Sequence, residues 1–149
     1  MPETNASPTM QEVLLIRDDL EDFLPDGRNL DSYVAQALLE CKRILEDDRA
    51  CPWSRVFDST NDAYLDNSDA TGRNQDRIQN AISHQTACMI FRDYSIKNGL
   101  EENWSLLADY HCQMSKERLL ESTLDIDLDD SGAIDEDEEG SVGQVFLVK

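Results

Sequence analysis

Residues 101–138 read EENWSLLADYHCQMSKERLLESTLDIDLDDSGAIDEDE, and this stretch decides the fold because a helical apolar rhythm gives way within it to an acidic loop. Trp104, Leu107, His111 and Met114, with Leu100 just before them, fall on one helical stripe, and Ala108, Cys112, Ser115 and Leu119 lie beside it. A helix with so wide an apolar face must be covered by others, so the sequence predicts a bundle. The acidic part, Asp127 to Glu138, matches the calcium loop D-x-[DN]-x-[DN]-G-x5-E position by position, with Ser131 at the fifth place. Asp127, Asp129 and Ser131 bring oxygens inward on alternate residues. Gly132 allows the sharp turn, Ala133 offers its carbonyl, Asp135 acts through water and Glu138 closes the site bidentately. A structural Ca2+ is therefore the expected cofactor, set against the plainer reading of an acidic, solvated linker. Asp135 to Glu139 makes barely a turn before Gly140 and carries no apolar residue, so no second helix is available for a sensor to expose. The loop is expected as a half EF hand, a staple fixing how the C-terminal tail leaves the helix.

The preceding chain supplies the rest of the bundle. Residues 1–12 are polar and contain Pro2 and Pro8, which predicts a flexible N-terminal arm. Asp18 with Glu21 can cap a short helix bearing Leu20, Phe23 and Leu24, closed by the Pro25-Asp26-Gly27 turn. Asn29 or Asp31 then starts a second helix, whose Leu30, Tyr33, Val34, Ala37, Leu38, Cys41, Ile44 and Leu45 keep the helical rhythm to about Cys51-Pro52. Residues 58–74 are rich in turn formers and are expected as an exposed, partly ordered loop anchored by Tyr64 and Leu65, with Trp53, Val56 and Phe57 tucked against the bundle. Helix three is expected from about Gln75 to Asn98, apolar on more than one side and hence central, closed by Asn98-Gly99. Helices three and four should form an antiparallel hairpin. The resulting expectation is an all-α fold, a small bundle of three to four helices. Its parts are a helical domain over 13–124, the acidic loop over 125–140 and an extended C-terminal strand or arm over 141–149.

Composition narrows the function classes. The chain has 149 residues, 40% of them hydrophobic, enough for one buried core. A formal net charge of -19, from 13 basic against 32 acidic residues, argues against ordinary binding to a nucleic-acid backbone, where Lys and Arg displace counterions. The same charge would suit a repulsive wall past which DNA slides, a DNA mimic, or a very soluble surface. Cys41, Cys51, Cys88 and Cys112 are widely spaced without a C-x-x-C pair, and are expected as reduced core residues of a protein made in a cytoplasm. Neither a signal peptide nor an apolar run near the ~18 residues of a membrane span is seen, so no membrane partner is expected. His84, Cys88, His111 and Cys112 could be drawn as a metal site, but adjacent His111 and Cys112 point about 100 degrees apart on a helix, which disfavours one tetrahedral ion. No nucleophile with base and orienting group, and no phosphate-binding glycine loop, appears; the expectation is that the chain is not an enzyme.

The order of parts carries a resemblance. A short helix, the Leu24-Pro25-Asp26-Gly27 turn, a long amphipathic helix, a polar loop and a helix hairpin with Phe91-Arg92-Asp93-Tyr94 before its turn and Trp104 after it come first. The phrase Leu124-Asp125-Ile126-Asp127-Leu128-Asp129-Asp130-Ser131-Gly132-Ala133-Ile134-Asp135 and an apolar terminus follow. From about residue 14 to the end, this resembles the head-to-tail connector (adaptor) proteins of tailed bacteriophages. The resemblance implies a virion protein of the phage neck, made in the host cytoplasm, that forms a homo-oligomeric ring, usually twelve-fold. That ring would join the portal protein to a downstream stopper or tail-completion protein, with double-stranded DNA passing the lumen unread. It also implies that the C-terminal segment docks on the portal. Val142, Val145, Phe146, Leu147 and Val148 are the expected interface residues, a run apolar on both faces that would add as a strand to a partner edge. The competing classes are an acidic inhibitor that mimics DNA and a small calcium-binding module.

Overall fold

The computed structural model describes residues 5–67, 71–97, 102–135 and 138–140. Among them the chain is mostly helical: α1 (Met10–Leu14), α2 (Leu30–Asp48), α3 (Arg73–Lys97) and α4 (Glu102–Leu120), with one two-residue hairpin, β1 (Phe57–Asp58) and β2 (Ala63–Tyr64). The Asn29 side chain accepts the Ser32 backbone N–H at 2.9 Å, satisfying a donor that the first turn of α2 leaves free. From there Leu30, Tyr33, Val34, Ala37, Cys41, Ile44 and Leu45 are buried, the stripe the periodicity predicts.

The α3–α4 hairpin is the centre of the core. The two helices run antiparallel, with Asn80 meeting Arg118 at one end, Phe91 stacking on Trp104 towards the other, and His84 meeting His111 and Cys88 meeting Cys112 between them. Helix α3 is covered on more than one side, with Ile78, Ala81, Ile82, Ala87, Cys88, Ile90 and Phe91 buried along with several polar side chains. Ser83 and Thr86 remain tolerable there because their hydroxyls return to the carbonyls of Gln79 and Ile82, at 3.0 and 2.8 Å. Tyr33 Oη on α2 donates to Asp93 at 2.6 Å, tying α2 to α3. Phe23 packs edge-on against Phe91 and Tyr94 and tilted against Trp104, and the Arg17 guanidinium lies over Phe23 and Phe91. The proposed Asn98-Gly99 cap lies outside the described residues.

Five expectations are corrected. Residues 5–12 are not a flexible arm: Ala6 is buried, Gln79 Nε2 donates to the carbonyls of Asn5 (3.0 Å) and Ser7 (3.2 Å), and Thr9 with Glu12 forms a capping box that starts α1. Asp18 caps no helix; Leu20–Phe23 is a 3-10 turn preceded by Asp19, whose carboxylate is taken by Arg17. The described part of the 58–74 segment, residues 58–67 and 71–74, is more structured than a loop. Phe57 pairs with Tyr64 across the hairpin, their rings join Trp53 in a second aromatic cluster, and Asn67 and Asn74 are buried, with Asn74 already inside α3. Cys88 and Cys112 are not reduced core residues but a disulfide with Cα atoms 5.2 Å apart, while Cys41 and Cys51 are free and buried. Finally, α4 does not run into the acidic loop. It stops at Leu120, where buried Arg49 donates to the carbonyls of Leu119 (2.8 Å) and Ser122 (3.0 Å), and the chain reaches Asp127 through a non-helical segment with Leu124, Asp125 and Ile126 buried.

Candidate metal centre

That buried approach is what positions the acidic loop. Asp125 Oδ1 accepts from Arg73 Nη1 at 2.9 Å and from the Gly140 backbone N–H at 2.8 Å. Asn74 on α3 exchanges hydrogen bonds with the Asp125 backbone at 2.7 and 2.8 Å, an amide acting as a surrogate strand. Arg55, in the 3-10 turn before β1, accepts the Asp127 N–H with its carbonyl at 3.0 Å. Its guanidinium returns to the carbonyls of Asp127 (2.8 Å) and Leu128 (3.0 Å). Both ends of the loop are therefore fastened to the helical bundle. Arg55, Arg73, Asn74 and Asp125 escaped sequence reasoning: nothing in their spacing links positions some 50 to 70 residues apart.

Inside the loop, carboxylate oxygens of Asp127, Asp129 and Glu138 all lie within 4.8 Å of one another. Oxygens on opposite sides of a cation at about 2.4 Å can be at most about 4.8 Å apart, so the three fit around one calcium-sized ion. Asp127 and Glu138 are buried and Asp129 is exposed. The polypeptide also supplies neutralising dipoles. Asp127 accepts from the Ser131 N–H (3.1 Å) and hydroxyl (3.3 Å) and the Gly132 N–H (2.7 Å). Glu138 accepts from the N–H groups of Leu128, Asp129 (3.0 Å) and Asp135 (2.7 Å). Gly132 takes φ +86, the left-handed conformation the sixth loop position demands. Hydrogen bonding from Ser131, whose backbone N–H donates to it at 3.2 Å, holds the Asp129 carboxyl down to about 2, so the group is an anion at neutral pH.

The remaining expected ligands are less gathered. The Ser131 hydroxyl spans Asp127 and the Ala133 carbonyl (3.1 Å), and Asp135 is exposed. Ile134 is buried, as the apolar mid-loop position requires. The donor set is all oxygen and chiefly carboxylate, which suits a hard cation such as Ca2+. The alternative cluster on α3 and α4 offers no such site: Cys88 and Cys112 bond each other, and His84 Nδ1 faces His111 Nδ1 at 3.0 Å. Residues Val142, Val145, Phe146, Leu147 and Val148 lie outside the described residues.

Fold and site together define a small helical protein with a carboxylate-lined loop docked on its bundle. No family model, curated protein or solved structure matches the chain. None of the described helices is long and apolar enough to cross a membrane.

Proposed function

We propose that the chain is a structural virion protein of the head-to-tail connector kind and not an enzyme: a homo-oligomeric ring at the phage neck, surrounding the DNA channel between portal and tail. The observation that carries this reading is the fastening of the acidic loop. Arg55, Arg73 and Asn74 hold it against the bundle, and the Gly140 N–H is tied to Asp125, so whatever follows Gly140 departs from a fixed point on the helical body. A segment meant to reach a portal subunit gains from such a fixed root, because less orientational freedom is lost on docking. Calcium bound by Asp127, Asp129 and Glu138 would tighten that root, and the half hand would serve assembly rather than signalling.

Charge supports the same reading. Among the described residues the fully buried charges are Arg49 against Asp125, Asp127 and Glu138, so the outer surface keeps most of the net -19. A ring wall of that sign lets DNA pass without capture. The test is co-assembly of the full chain with the portal of the same phage, imaged by electron microscopy. A ring seated on the portal is expected, and a monomer that ignores the portal would overturn the proposal.

A further inference from the structure

The sulfur pair on the helix hairpin is unsymmetrical. Cys88, on α3, is completely buried, whereas Cys112, on α4, is half-buried and lines an open polar groove between α2, α3 and α4. Glu40, Arg43, Arg92, Asp109 and Lys116 are the charged groups along that groove. Within it Arg43 is engaged with Glu40, and Arg92 Nη2 stands 3.4 Å from Cys112 Sγ. One sulfur can thus be reached from solvent beside a guanidinium that favours a thiolate, and its bonding partner cannot.

We propose that Cys112 is a site of reversible S-thiolation by a small thiol of the glutathione class, with Cys88 as the resolving thiol that closes the internal disulfide. Starting from the dithiol, the Cys112 thiolate attacks one sulfur of oxidised glutathione. A Cys112–glutathione disulfide forms, the original disulfide breaks, and one glutathione thiolate leaves. Cys88 then gives up its proton and attacks the Cys112 sulfur, forming the Cys88–Cys112 bond and releasing the second glutathione. Two protein thiols are oxidised, one glutathione disulfide is reduced, and the two thiol protons end on the two glutathiones. Opening runs in reverse, with the incoming thiolate striking Cys112, the accessible sulfur. Cys41 and Cys51 take no part: both are buried, and burial pushes their thiols up to about 12 and about 11.

The test uses the full chain, reduced and then exposed to oxidised glutathione in its folded state, read by intact-mass and peptide mass spectrometry. Cys88→Ser, which leaves Cys112 without its resolving partner, is expected to hold one glutathione on Cys112. Cys112→Ser is expected to stay unmodified until it is denatured. In the Cys88→Ser background, Arg92→Gln should slow thiolation about threefold for each unit by which the thiol pKa rises, since a tenfold smaller thiolate fraction is partly offset by greater nucleophilicity. Arg92→Lys should restore much of the rate. Circular dichroism confirms that each variant is folded, and the unfolded wild type gives the rate without a site. Equal modification of both single variants while folded would overturn the proposal. So would thiolation of Cys88 in preference to Cys112, or a Cys112 rate no faster than in the unfolded chain.

Discussion

His84 and His111 meet Nδ1 to Nδ1 at 3.0 Å, so one ring must donate and the other accept, and a second proton would set two donors against each other. Burial, then the neighbouring His111, pulls His84 down to about 4, and burial also lowers His111. Both groups are depressed relative to the unfolded chain, where an imidazole titrates near 6.5. Their contribution is therefore complete above about pH 6.5 and is lost as pH falls toward 4. For His84 alone the loss is at most about 3.5 kcal/mol, at ~1.4 kcal/mol per unit over the fall from 6.5 to about 4. Urea titrations across that range are expected to show falling midpoints, with a shallower pH dependence in His84→Gln; identical slopes would contradict the buried pair. In the acidic loop, Glu138→Gln keeps the size but weakens the charge facing a cation. Calorimetry on the wild type is expected to show Ca2+ binding that chelator abolishes and that Glu138→Gln loses at least tenfold. No heat and no thermal shift in the wild type would leave a loop that is closed by its own backbone N–H groups. Gly132→Ala should cost about 1–2 kcal/mol even without calcium, since an alanine is strained at φ +86.

The α3–α4 hairpin should dominate stability among the elements. Phe91 is fully buried and touches Phe23, Trp104 and His111, so Phe91→Ala is expected to cost about 3–5 kcal/mol in chemical denaturation. Reducing the Cys88–Cys112 bond, which closes 24 residues of chain, should cost about 3.5 kcal/mol on the loop-entropy account. A Phe91→Ala loss smaller than that of Tyr64→Ala in the small hairpin would place the core elsewhere. These helices were legible in the sequence because each carries its own apolar period: the Asn29 cap, the α2 stripe and the two-sided covering of α3 all follow from local spacing. What was illegible depends on partners distant along the chain. Nothing local to Ala6 announces that Tyr64 and Gln79 will hold its surroundings, and the turn-rich composition of 58–64 hides a hairpin whose stability lies in the Trp53–Phe57–Tyr64 rings. Cys88 and Cys112 read as core residues because each does sit on a packed face; only the hairpin's register shows that those faces meet. The gathering of Asp127, Asp129 and Glu138 was legible in their loop spacing, whereas the docking of that loop by Arg55, Arg73 and Asn74 was not.

At the scale of the whole molecule, an acidic helical body with a fastened loop is proposed to present a terminal arm to a portal. Two consequences follow from the charge and from the fixed root at Gly140. The isolated protein is expected to leave double-stranded DNA unbound at physiological salt, since exposed cations to displace phosphate counterions are few against 32 acidic residues. A salt-sensitive complex with DNA would contradict the repulsive wall, and inhibition of a DNA-binding enzyme would favour the mimic instead. Among the described residues the core, the disulfide and the acidic loop all lie before residue 141, so a variant lacking residues 141–149 keeps every one of them in its sequence. The most direct measurement compares the full chain with a variant lacking residues 141–149, each mixed with portal and examined by mass photometry and electron microscopy. The full chain is predicted to form a ring on the portal, and the shortened chain to remain folded, soluble and unattached. A shortened chain that still assembles on the portal, or a full chain that never does, would contradict the account.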